Sequence, residues 1–85
     1  MTVDELAALP GLGPASARWL VEIGVETYDD IDRLGSVEVY RRLRAARGGI
    51  SLNMLFALES LLLGCHWRDL PADRKAVLRA EVAGL

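Results

Sequence analysis

The sequence predicts an all-α fold: a compact single domain, residues 1–85, of five to six short helices. Three observations carry this. The chain has 85 residues, enough for one small domain. Apolar residues recur at helical spacing along most of it. Each such run opens on a helix-start signal and most close on a glycine. A domain of this size buries roughly 60–65 % of the surface its unfolded chain exposes. The 52 % hydrophobic content supplies the material for that core.

The first helix is expected from about Val3 to Leu9, because Thr2-Val3-Asp4-Glu5 has the form of a capping box ahead of Leu6 and Leu9. The stretch LPGLGPASARWL follows, with two glycines flanking one apolar residue. Gly13 serves as an N-cap and Pro14 as the first helical residue, where its missing N–H does no harm. A second helix then runs to about Ile23, with Ala17, Leu20 and Ile23 on one face, Trp19 partly buried beside them and Gly24 as the stop. Thr27 caps a third helix whose first turn holds Asp29 and Asp30, where the helix dipole favours acids. Ile31 and Leu34 face inward and Gly35 ends it.

Ser36 is expected to cap a fourth helix that reaches about Arg47, with Glu38 in its first turn and Val39, Tyr40 and Leu43 inward. Arg41, Arg42, Arg44 and Arg47 occupy the remaining surface and form the concentrated positive patch of the chain. Gly48-Gly49 breaks the helix and Ser51 caps the next. The segment LNMLFALESLLL is apolar nearly all round, the mark of a helix in the middle of a domain. Met54, Leu55, Phe56, Leu58, Leu61 and Leu62 are its core residues. Asn53 and Glu59 are the odd polar groups, expected to point outward or to bind nearby backbone. The loop from Gly64 to Pro71 is anchored by His66 and Trp67. Pro71 starts a last helix through about Val82, with Val77, Leu78 and Val82 inward and Arg74, Lys75 and Arg79 outward.

Composition limits the chemistry. One cysteine and one histidine, adjacent as Cys65-His66, cannot assemble a zinc site or a nucleophile with its base. Paired carboxylates such as Asp29 and Asp30 have a capping role, and no Walker-type phosphate loop is present. The chain is therefore read as no enzyme, with no cofactor and no metal. No apolar run approaches the ~20 residues that a membrane span needs. The acidic N-terminus is no signal peptide, and a single cysteine suits a reduced, cytoplasmic setting. The net charge of −2 is lopsided: residues 1–38 carry eight acids and two bases, residues 39–85 eight bases and four acids.

The stretch LPGLGPASARWLVEIGV, with IGVETYDDIDRLG running on from it, resembles a helix-hairpin-helix motif. In that family the Gly-x-Gly turn presents backbone N–H groups to a nucleic-acid phosphate at a helix N-terminus. Carried onto this chain, the anion-binding positions are Gly11, the Leu12 backbone, Gly13 and the Ala15 backbone. Ala15 stands where DNA-binding members often carry Lys or Arg, and the nearest cation is Arg18. The turn can also serve only to pack two helices. An internal echo aligns Gly13-Pro14-Ala15-Ser16 with Gly49-Ile50-Ser51-Leu52 and implies two phosphate-facing turns on one side of the molecule.

The longer order, through VYRRL, SLNMLFALES and GCHWRDLP, resembles the C-terminal domain of the TfoX/Sxy family of bacterial competence regulators. That resemblance covers about Leu6 to Leu78. It implies a small helical domain without enzyme activity, acting in transcriptional control of competence genes together with a cyclic-AMP receptor protein. Full-length members carry a separate N-terminal domain that this sequence does not include.

The expected function is a binding module of a TfoX-like regulator. It contacts DNA backbone or the transcription machinery through Gly11, Leu12, Gly13, Ala15, Arg18, Arg41, Arg44 and Arg47. The partners expected are DNA, a transcription regulator or an RNA polymerase subunit, with no membrane and no small-molecule substrate. The alternative is a protein–protein interaction domain with no direct nucleic-acid contact, for which Asp29, Asp30 and Asp32 offer an acidic surface.

Overall fold

The computed structural model describes residues 2–9 and 11–84, leaving aside the side chains of Thr2, Val3, Asp4 and Trp67. Six α-helices follow one another among the described residues, joined by short turns: α1 (Thr2–Ala7), α2 (Pro14–Glu22), α3 (Tyr28–Leu34), α4 (Ser36–Ala46), α5 (Leu52–Leu63) and α6 (Ala72–Ala83). A single 3-10 turn, Trp67–Asp69, interrupts the loop before α6. No helix among the described residues is long and apolar enough to cross a membrane. The side-chain half of the expected capping box at Thr2, Pro10 of the first turn and the anchoring role of Trp67 lie outside the described residues.

α5 is the central element. Its residues from Met54 to Leu61 are all buried, and α3, α4 and α6 pack around it. α1 packs against α2, and α2 reaches the rest of the molecule through α4. Leu6, Leu20, Ile31, Leu43, Leu55, Leu58 and Leu78 are fully buried and join these helices into one core. The loop before α6 is held by Leu70, which is buried, and by Cys65, which packs against the core. His66, by contrast, is exposed, and its Nδ1 accepts the Arg68 N–H at 3.1 Å. An aliphatic side chain gains more from leaving water than an imidazole does, so Leu70 is the anchor.

Local chemistry explains most helix ends. Thr27 and Asp30 form a complete capping box: the Asp30 N–H donates to Thr27 Oγ1 at 3.1 Å and the Thr27 N–H to Asp30 Oδ2 at 3.2 Å. The Glu26 N–H joins at 2.9 Å, and that bond holds the Asp30 carboxyl below the usual carboxylate range. Gly35 is both the end of α3 and the N-cap of α4, at φ +86° and ψ +157°. That region is almost closed to any residue with a Cβ.

Ser36 therefore does not cap α4. It is its first residue, 4 % exposed, and its hydroxyl donates to Glu59 Oε1 at 2.7 Å. Glu59 is also not outward-facing: it is 5 % exposed, and Arg74 Nε donates to its Oε2 at 2.5 Å. One carboxylate thus ties α4, α5 and α6 together, with side-chain partners rather than the backbone that sequence reasoning expected. Val77 departs from expectation too. It is 45 % exposed because α6 turns only Leu78 and Val82 fully into the core.

Candidate functional site

The two glycine turns expected from the sequence open on the same side. A concavity of about 300 Å3 is lined by Gly11, Ser16 and Trp19 from one turn and its helix, and by Gly49, Ile50, Ser51 and Asn53 from the other. Gly11 and Gly49 both stand in this cavity at positive φ, +83° and +81°, a backbone region that favours glycine, and Gly11 lies over Ala57 on the cavity floor. Gly13 is extended, at φ −117° and ψ −179°, with open space where a side chain would stand.

Two helix N-termini meet in this cavity. At α2 the first closed bond runs from the Ala17 N–H to the Gly13 carbonyl at 2.9 Å. Pro14 has no N–H, so the amides of Ala15 and Ser16 are donors with no acceptor inside their own helix. Gly13 has no side chain to cap them. At α5, Ser51 stands at the N-cap as expected, but its hydroxyl makes no capping bond. The amides of Leu52 and Asn53 are therefore donors of the same kind. Each N-terminus carries roughly half a positive charge from its aligned peptide dipoles.

The expected site residues are only partly brought together. Gly11 lines the cavity and Gly13 and Ala15 belong to the turn beside it. The Leu12 amide is used internally, donating to the Leu9 carbonyl at 3.2 Å, and its side chain is buried. Arg18 is exposed and lies two residues beyond Ser16, which places it on the other side of α2.

Arg47 sits at the rim. Its guanidinium stacks 5.1 Å from the Trp19 ring centre and its Nη1 donates to Glu22 Oε2 at 3.0 Å. Arg41 is drawn toward the start of α4, because its Nη2 meets Glu38 Oε2 at 2.6 Å and Arg42 Nε meets the same oxygen at 2.7 Å. This double clamp pulls the Glu38 carboxyl down to about 2 and raises the Arg41 guanidinium above its usual value. Arg44 makes no ion pair among the described residues and stacks on Tyr40, 5.8 Å from its ring centre.

Sequence reasoning did not place Ser16, Trp19, Ser51 or Asn53 in the site. The signal was present in the echo between the two turns, which aligned Gly13-Pro14 with Gly49-Ile50. Among the described residues no group of three or more His, Cys, Asp and Glu side chains is arranged to hold a metal.

Comparison with known proteins gives two findings. The family model described as the TfoX C-terminal domain matches residues 2–82. A crystal structure of an uncharacterized protein from Listeria monocytogenes is similar to this chain, with a TM-score of 0.83 and 27 % sequence identity, covering 87 % of this chain and 84 % of that one. No curated protein matches at a significant level.

Proposed function

The chain belongs to the TfoX C-terminal domain family, and from that premise we propose that it is a non-enzymatic binding module that holds the phosphate backbone of DNA for a TfoX-like regulator. The observation that carries this reading is the convergence of the α2 and α5 N-termini on one concavity, neither closed by a side chain from its N-cap residue. Backbone amides aligned with a helix dipole suit an anion. Arg47, over the ring of the cavity-lining Trp19, adds positive charge at the rim. The exposed Arg47–Glu22 pair is the kind worth at most about 1 kcal/mol, so a phosphate can replace the glutamate. Among the described residues no row of side chains is set to read base edges, so the binding is sequence-independent and falls with salt.

Gly13→Asp is the discriminating variant. The extended backbone at Gly13 accepts an aspartate, which is a better N-cap than glycine and stabilises α2. The same carboxylate occupies the amides and repels phosphate. The expected result is an unchanged or raised melting temperature with affinity for a short DNA duplex weakened about threefold or more. Unchanged affinity would remove the turn from the interface.

A second reading, a protein-interaction domain without nucleic-acid contact, is favoured by one observation. Of Arg41, Arg42, Arg44 and Arg47, three are held by Glu38 and Glu22, whereas Asp29 and Asp32 on α3 are exposed and make no ion pair among the described residues. On this reading a basic surface of a transcription regulator or RNA polymerase subunit meets α3. Asp29→Asn with Asp32→Asn then abolishes its capture and leaves any DNA binding intact.

A further inference from the structure

Between α4 and α6 runs a second, more open groove of about 540 Å3, separated from the cavity of the two glycine turns by Gly49 and Ile50. Its floor is apolar: Ile50 from the turn, Leu52 from the start of α5 and Val82 from α6. Leu52 is 37 % exposed, although the helix it opens is otherwise the core of the molecule. The Tyr40 hydroxyl donates to the Ile50 carbonyl at 3.2 Å and holds the turn against α4.

Two arginines line this groove from different helices, Arg44 on α4 and Arg79 on α6. Each guanidinium stacks on a ring of its own chain, Arg44 on Tyr40 and Arg79 on Phe56 at 5.4 Å. Lys75 lies over the same Phe56 ring at 5.6 Å and adds a third positive charge on the α6 side. Neither Arg44 nor Arg79 makes an ion pair among the described residues, in contrast to Arg41, Arg42, Arg47 and Arg74, which each hold a glutamate. Such a cation–π contact takes up none of the guanidinium N–H groups, which match a carboxylate and stay available to one. Among the described residues no acidic side chain lines the groove. Glu81 is two positions from Arg79 and so leaves α6 on the opposite side.

We infer that this groove docks an acidic peptide segment of a protein partner, with one apolar side chain seated on Ile50, Leu52 and Val82 and flanking carboxylates received by Arg44 and Arg79. A phosphate backbone would use the two cations but gain nothing from the apolar floor. The peptide uses both. The inference does not depend on DNA binding at the glycine-turn cavity, since it draws on neither helix N-terminus as a donor.

The test is an NMR titration of the 15N-labelled chain with three probes: a peptide carrying one leucine between glutamates, the same peptide with glutamines, and a short DNA duplex. The acidic peptide is expected to move the amide signals of Ile50, Leu52 and Val82 and to leave those of Ala15 and Ser16. The glutamine peptide binds about tenfold more weakly, and Arg44→Gln or Arg79→Gln each weakens the acidic peptide about threefold or more. Leu52→Ser weakens it as well while melting like the wild type, which separates docking from folding. Groove signals unmoved at low salt, equal binding of both peptides, or movement with DNA alone would overturn the inference.

Discussion

At the scale of single residues, Glu59 has the role least expected from its surroundings in the chain. In a segment that reads as pure core, its carboxylate receives Ser36 from α4 and Arg74 from α6. Burying a charge is tolerable only when its oxygens are met by donors, and here both are. Glu59→Ala leaves the buried Ser36 hydroxyl and the Arg74 guanidinium without that carboxylate and is expected to lower stability by about 1–3 kcal/mol in urea denaturation. Ser36→Ala is expected to cost about 1–2 kcal/mol.

Glu38 has a different signature. Its carboxyl is held at about 2 against an ordinary 4.5 by Arg41 and Arg42. The folded value lies below the unfolded one, so the contribution of this clamp is complete above 4.5 and is lost as pH falls toward 2. Carboxyl NMR should titrate Glu38 near 2 in the wild type and back toward 4.5 in Arg41→Gln/Arg42→Gln.

At the scale of elements, the sequence was legible wherever a helix end is made by local chemistry. The Thr27 cap, with acids in the following turn, produced α3 as expected, and Gly35 stopped it. Gly35→Ala forces a Cβ into φ +86° and ψ +157° and is expected to cost about 1–3 kcal/mol, read as a lowered melting temperature with unchanged helix content. What was not legible depended on contacts distant in sequence. Ser36 looks like a cap because serine usually is one, and only the approach of Glu59, twenty-three positions later, makes it a core residue instead. Val77 was expected inward, but Leu78 and Val82, four positions apart on one helix face, take the buried positions, and Val77 lies about 100° round the helix from Leu78. The binding elements follow the same rule. Gly11 could be read from the turn, whereas the pairing of Arg41, Arg42 and Arg47 with glutamates, and the facing of Arg44 with Arg79, needed the packed helices.

At the scale of the whole molecule, a nearly neutral chain with an acidic first part and a basic second part folds so that the positive ends of α2 and α5 gather on one cavity between the Gly11 and Gly49 turns, while Arg44 and Arg79, unpaired among the described residues, line the neighbouring groove. That gathering is the central claim, and the salt dependence of DNA binding tests it most directly. Two unrelated short duplexes should bind alike at low salt, with log K falling linearly against log salt at a slope of about −2 to −4, the signature of two to four phosphates held. An absence of binding to either duplex at low salt, or a strong preference for one sequence, would contradict the account.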